Sequence, residues 1–172
     1  PQEKIDELVE KLVSLVDSEY GGFGQDGKFH YAPVLELMWQ RACAKSHEGE
    51  AGGESPGRHK RLLAAGVRLT LDNMCQGGIF DHDRGGFFRH TTDRAWQNPL
   101  PEKTLIDNAQ MLALLTTVWQ ETQNPLYKDR AEKTARWLVA EMQLGSAENG
   151  QENKGGFATS VTSHAGKDEK VL

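Results

Sequence analysis

Residues 77–98, GGIFDHDRGGFFRHTTDRAWQN, are the most chemically loaded stretch of this chain. Asp81, His82, Asp83, Arg84, Arg89, His90, Asp93 and Arg94 are interleaved there with Ile79, Phe80, Phe87, Phe88 and Trp96. Imidazole titrates near neutrality, so His82 or His90 suits a general acid or base. A neighbouring carboxylate can hold a sugar hydroxyl or protonate a leaving oxygen. Asp81-His82-Asp83 also offers ligand types that metals accept. No second His/Glu pair at helical spacing completes such a set, and no metal or other cofactor is expected. The plainer account of the arginines is that they pair with the aspartates and pin the loop. The aromatics want burial while the charges want water or partners, so the wall of a cavity satisfies both, and the stretch reads as ordered.

The run that follows, PLPEKTLIDNAQ over 99–110, leads into a helix. Glu102 falls in its first turn, where the helix dipole favours a carboxylate. Asp107 and Asn108 take consecutive positions, about 100° apart on a helical wheel. They border an apolar stripe of Leu105, Ala109 and Leu112, so they either face a cavity or stand as surface polar groups. The expected catalytic set is therefore His82, His90, Glu102 and Asp107, with Asp81, Arg89, Asp93, Trp96 and Asn108 as ligand-binding residues. Trp39, Trp96, Trp119 and Trp137 serve either the core or a stacking platform.

Five helices must position these residues. The first runs to about residue 18 on Ile5, Leu8, Val9, Leu12, Val13 and Val16. The second starts near Pro33, a first-turn proline. The third spans about 58–75, the fourth about 101–122, and the fifth runs from Asn124-Pro125 to about 143. Residues 45–57 and 145–155 are polar and glycine-rich connections. No strong strand pattern competes, although 78–80 and 87–89 suit short extended pieces.

A triplet recurs between the helices. Gly21-Gly22-Phe23, Gly85-Gly86-Phe87 and Gly155-Gly156-Phe157 stand 64 and 70 residues apart, with two helices between copies. The unit is a helical hairpin closed by a glycine turn, with phenylalanine pinning the turn to the bundle. Hairpins of this kind stack into solenoids or close into a toroid of six, which needs roughly 350–400 residues at this spacing. The repeat leaves both open and gives an all-α chain of about two and a half helical hairpins, with residues 1–172 as a single helical domain. Its end hairpins expose apolar faces unless the remainder of a longer toroid, or self-association, covers them.

Composition narrows the partners. The chain has 172 residues, enough for one packed core, and 20 Lys+Arg against 25 Asp+Glu give a net charge of −5 without the basic stripe of a nucleic-acid binder. No apolar run approaches the roughly 18 residues needed to span a bilayer. Lys4, Asp6, Glu7 and Glu10 break the pattern of a signal peptide. The expected location is cytoplasmic, away from membranes and nucleic acids. Cys43 and Cys75 form no CxxC and read as buried free thiols.

Taken together, GGFG..GKF over 21–29, M.QGGIFDH..GGF.RH..D..W from Met74 to Trp96, P..EK.L.DNAQ from Pro99 to Gln110 and GGF.TS from Gly155 resemble the YyaL / spermatogenesis-associated thioredoxin-domain-containing protein family. The similarity spans about residues 20–165. Glu102, Lys103, Leu105, Asp107, Asn108 and Ala109 match the family's His-Phe-Glu-Lys-Met-Leu-Tyr-Asp-Asn-Ala run, while Leu100, Pro101, Thr104 and Ile106 depart from it. Lys28-Phe29-His30 stands where the family has Lys-Phe-Pro, and Val161-Thr162-Ser163-His164 where it has Asp-Ala-Asp-Ser. The family's thioredoxin-like domain is absent from this chain. The resemblance implies that the hairpins form a partial (α/α)6 toroid, related to sugar epimerases and six-hairpin glycosidases. It implies that the second and fourth helices line the interior, and that the loops at 21–30, 77–98 and 155–165 gather at one mouth. Two functions follow as expectations: a carbohydrate-active enzyme of epimerase or hydrolase type, or a non-catalytic module that recognises a sugar, a peptide or a partner domain.

Overall fold

The computed structural model describes residues 2–44, 54–144, 156–164 and 167–171. Helices α1 (Gln2–Leu15), α2 (Ala32–Cys43), α3 (Glu54–Gln76), α4 (Leu105–Thr122) and α5 (Pro125–Trp137) follow in order, and a short π-helical turn, Leu138–Met142, extends α5. Strand β1 (Glu102–Thr104) precedes α4, and β2 (Ser160–His164) and β3 (Lys167–Val171) close the described chain.

Local chemistry sets the helix ends. Thr104 caps α4 by accepting the Asp107 amide at 3.2 Å. Gln123 ends α4 in the left-handed region and returns its amide to the Trp119 carbonyl. Asn124 caps α5 through the Leu126 amide, and Pro125 follows as the first helical residue. Tyr31 enters α2 at φ 45°, without a side-chain cap. The two layers follow from packing: α2 lies against α4 on the inside, α1 against α3 and α3 against α5 on the outside, with hairpins α2–α3 and α4–α5 joining the layers. The fully buried Leu35, Val67, Leu71, Met74, Met111, Leu114, Leu115 and Val118 fill the space between them.

Four expectations change. Residues 102–104 are not helical, because they pair antiparallel with β2 as the edge of a three-stranded sheet ordered β1-β2-β3. The buried face of α4 is not Leu105-Ala109-Leu112 but Asp107, Asn108, Met111, Leu114, Leu115 and Val118. Ala109 is exposed. The two polar residues at the start of the buried face bond to loops, so they disguise its phase. Cys75 is buried, as expected, but Cys43 is exposed near the end of α2. The first helix stops at Leu15, because the chain then turns to pair Val16 with Phe23. Most of the connection at 45–57, all of that at 145–155, and Gly155 lie outside the described residues. Leu8, Leu15, Tyr31 and Leu37 are exposed.

Candidate functional site

The glycine triplet is part of a larger repeated device. Val16 pairs with Phe23, Phe80 with Phe87, and Gln143 with Phe157. In the first two copies an aspartate follows the pairing residue. Asp17 Oδ1 accepts the amides of Glu19 and Tyr20, and Asp81 Oδ1 accepts those of Asp83 and Arg84. The turn closes with Gly21 and Gly22 at φ +66° and +69°, and with Gly85 and Gly86 at +86° and +77°. A buried lysine then locks each turn. Lys28 Nζ donates to Asp17 Oδ2 at 2.7 Å and to the Gly21 carbonyl at 2.6 Å. Lys103 Nζ donates to Asp81 Oδ2 at 2.6 Å and to the Gly85 carbonyl at 2.8 Å. Each ammonium also lies over a tryptophan, Trp96 for Lys28 and Trp137 for Lys103. In the third copy Leu144 stands at the aspartate position, its amide bonded to the Gly156 carbonyl as those of Asp17 and Asp81 are to Gly22 and Gly86.

These turns draw the loops together. Lys28 and Thr91 exchange backbone hydrogen bonds at 3.1 and 2.9 Å, and the Leu100 amide donates to the His90 carbonyl at 3.1 Å. Arg94 reaches back to both oxygens of Asp17, at 2.5 and 2.7 Å. Phe29 pairs with His90, and both line a cavity of about 700 Å³ with Phe23, Tyr31, Val34 and Leu12. The Phe29 ring also stacks on the His30 imidazole, 4.3 Å between centroids, and His30 and Arg89 reach Asp107 of α4.

These contacts around Asp107 make the candidate site. His30 Nε2 lies 3.4 Å from Asp107 Oδ1, and Arg89 Nε lies 3.8 Å from Asp107 Oδ2. Arg89 Nη1 is 3.4 Å from both oxygens of Glu102. His30 and Asp107 are 1% and 6% exposed, yet His30 Nε2 and Asp107 Oδ2 have no hydrogen-bond partner among the described residues. The Ala32 amide donates to His30 Nδ1 at 3.4 Å, and Nε2 faces the Asp107 carboxylate. Two buried polar atoms without a hydrogen bond, held only by long ion-pair contacts, thus stand side by side. Burial raises the pKa of Asp107, but His30, Thr104 and the charge of Arg89 outweigh it and hold the carboxyl below the ordinary aspartate value.

The expected site residues scatter around this pair. Glu102, Asp107 and Arg89 come together. His90 lines the cavity beside Phe29, and His82 bonds to the Gly77 carbonyl, outside the Arg89 cluster. Asp81 is occupied by Lys103. Asp93 accepts the amides of Ala95, Gln97 and Asn98 and closes its own loop. Trp96 is fully buried, with its indole N–H on the Tyr20 carbonyl. Asn108 clamps the Phe87 backbone, accepting its amide at 2.6 Å and donating to its carbonyl at 3.0 Å. His30, Asp17 and Lys28 were missed as a group. The signal available for the last two was an aspartate four residues before each of the first two glycine pairs. Among the described residues no three His, Cys, Asp or Glu side chains gather as a metal-binding group. No described helix is long and apolar enough to cross a membrane.

The depressed carboxylates set an acid limit. For Asp17, Asp81, Asp93 and Asp107 burial pushes the pKa up, but bonds to Arg94, Lys28, Lys103, backbone amides and His30 bring it below the ordinary value. Their stabilisation is complete above the unfolded-state value of about 3.9 and is lost as pH falls through the folded-state values. Urea midpoints should therefore stay level from neutrality to about pH 5 and decline below about pH 4. A midpoint that rises on acidification would contradict this.

The two-layered arrangement of helical hairpins around a loop mouth belongs to the (α/α)6 toroids. The structure superposes on a sugar epimerase from a ruminal bacterium with a TM-score of 0.62 at 13% identity, over 90% of this chain and 37% of that one. It superposes on the cellobiose 2-epimerase of Spirochaeta thermophila with a TM-score of 0.58 at 16% identity, over 93% of this chain and 40% of that one. By sequence, mouse (Mus musculus) spermatogenesis-associated protein 20 is 34% identical over 123 residues, 72% of this chain and 14% of its own length. A Caenorhabditis elegans protein, uncharacterized protein B0495.5, is 36% identical over 100 residues, 58% of this chain and 12% of its own length. No family model matches. The chain is a relative of the spermatogenesis-associated protein 20 family, and it spans about one seventh of the length of the curated relatives it matches.

Proposed function

We propose that the chain supplies part of a carbohydrate site at the mouth of a toroid, in which Asp107 and His30 seat a sugar hydroxyl. The observation that carries this reading is the buried, unpaired couple of His30 Nε2 and Asp107 Oδ2. A hydroxyl is both donor and acceptor, so one sugar oxygen accepts from the imidazole and donates to the carboxylate. Leaving both atoms unpaired costs free energy, and a ligand that completes them recovers it. Arg89 is the nearest cation to Oδ2, and its contacts of 3.4–3.8 Å are long enough to be exchanged for a ligand's. The sugar-epimerase neighbours favour the same ligand class by fold, which alone does not fix function.

The same couple is suited to proton transfer, with Asp107 ionised and the imidazole beside it. A second, purely recognising reading is favoured by one fact: His82 and His90 stay outside the cluster. The two separate in one experiment on the full-length protein. Calorimetry with glucose and cellobiose should show binding that Asp107→Asn and His30→Gln each weaken about tenfold or more, the usual scale for a hydrogen bond to a charged group. Deuterium uptake from D2O at the carbon next to the sugar carbonyl marks an enzyme, and binding without uptake marks a module. Absence of sugar binding, or binding unchanged in both variants, contradicts the proposal.

A further inference from the structure

We propose that the cluster of Asp107, Glu102 and Arg89 selects its sugar by charge, taking an ammonium-bearing hexosamine over the neutral hexose and excluding uronates and sugar phosphates. This rests on the hydroxyl-seating reading of Asp107 and His30. Two carboxylates share one guanidinium, so the cluster keeps one negative charge in excess. The other cations of these loops are already committed to carboxylates: Lys28 to Asp17, Arg94 to Asp17 and Glu19, Arg84 to Glu141 and Lys103 to Asp81. Arg89 is half-exposed and sits beyond close ion-pair distance from both carboxylates, so it neutralises neither completely.

Hydrogen-bond capacity points the same way. Among the described residues Asp107 Oδ2 is a buried acceptor without a hydrogen-bond donor, and the hydrogen bonds of the Glu102 carboxylate are the long ones from Arg89. An ammonium carries three donors and no acceptor, which complements such a surface. A uronate or phosphate brings acceptors and negative charge against two carboxylates. Its one favourable partner, Arg89, would have to leave them.

The test is a set of calorimetric titrations of the full-length protein with glucose, glucosamine, glucuronate and glucose 6-phosphate, below the pKa of the sugar amine. Glucosamine should bind about three- to tenfold tighter than glucose at low salt, with the gap narrowing as salt rises, as partly exposed charges do. The acidic sugars should bind weakest. Glu102→Gln should narrow the glucosamine-to-glucose ratio and Arg89→Gln should widen it, opposite movements that general structural damage does not produce. A ratio of one or below, or acidic sugars binding as well as glucose, overturns the charge selection while leaving the hydroxyl seat standing. No binding by any of the four sugars overturns the seat itself and the charge selection with it.

Discussion

Replacing Phe87 by alanine should destabilise the protein by about 3–5 kcal/mol, the range for a large aromatic removed from a packed core. Phe87 is fully buried, packed edge-on against Phe80 with ring centroids 4.9 Å apart, and its backbone is clamped by Asn108. The same position in the third turn is Phe157, which is 46% exposed. Phe157→Ala should therefore cost less than about 1 kcal/mol, as surface substitutions do. The comparison is internal, because both residues occupy one place in one repeated turn and differ in burial. Urea denaturation of the two variants checks it. Equal losses would mean that the triplet, not its burial, sets the energy.

Gly86→Ala should cost about 2–5 kcal/mol, from backbone strain and overpacking together. Gly86 sits at φ +77°, where a side chain is strained, and an added Cβ would stand 2.8 Å from the Trp137 ring. Gly22 repeats the situation at φ +69°, with the Cβ 2.3 Å from Trp96. Two tryptophans thus lie against the two glycine turns, and the same two rings receive the locking lysines. Gly24 offers a control: at φ +103° its Cβ meets nothing closer than 3.6 Å, so Gly24→Ala carries strain without collision. Thermal unfolding should rank Gly86→Ala well below Gly24→Ala. Equal midpoints would show that contact with the tryptophan contributes nothing.

These glycines also mark how far the sequence could be read. The Gly-Gly-Phe spacing was visible because small residues in a turn recur as identical letters, and it led to the hairpin repeat, while the toroid came from the longer motifs of the family resemblance. The locking lysines were not visible as equivalents. Lys28 follows its glycine pair after six residues and Lys103 after seventeen, since the second loop makes a detour through His90 and Trp96 before returning. Distance along the chain hid an identical geometry. The phase of α4 was misread for a related reason. Asp107 and Asn108 are polar, so a hydrophobic pattern excludes them from the buried face, yet Asn108 is fully buried because it satisfies the backbone of Phe87 and Thr104.

The candidate site was legible by half. Glu102, Asp107 and Arg89 were named from their charge and position, and they meet. His30 was seen only as a departure in Lys28-Phe29-His30, because nothing local says that an imidazole one residue before a left-handed tyrosine will point at a helix some eighty positions away. His90 lines the cavity beside Phe29, while its neighbour Arg89 is the residue that reaches Asp107. Strand β1 escaped notice because Glu102 and Lys103 have weak strand character and are recruited by pairing with Thr162 and Val161.

The most direct measurement is a crystal structure of the full-length protein grown with glucosamine. The account predicts one sugar oxygen at about 2.6–3.2 Å from both Asp107 Oδ2 and His30 Nε2, the distances of real hydrogen bonds. It also predicts the sugar nitrogen on the side of Glu102. A sugar lodged instead in the cavity of Phe29 and His90, with the Asp107–His30 pair closed on itself, would contradict it.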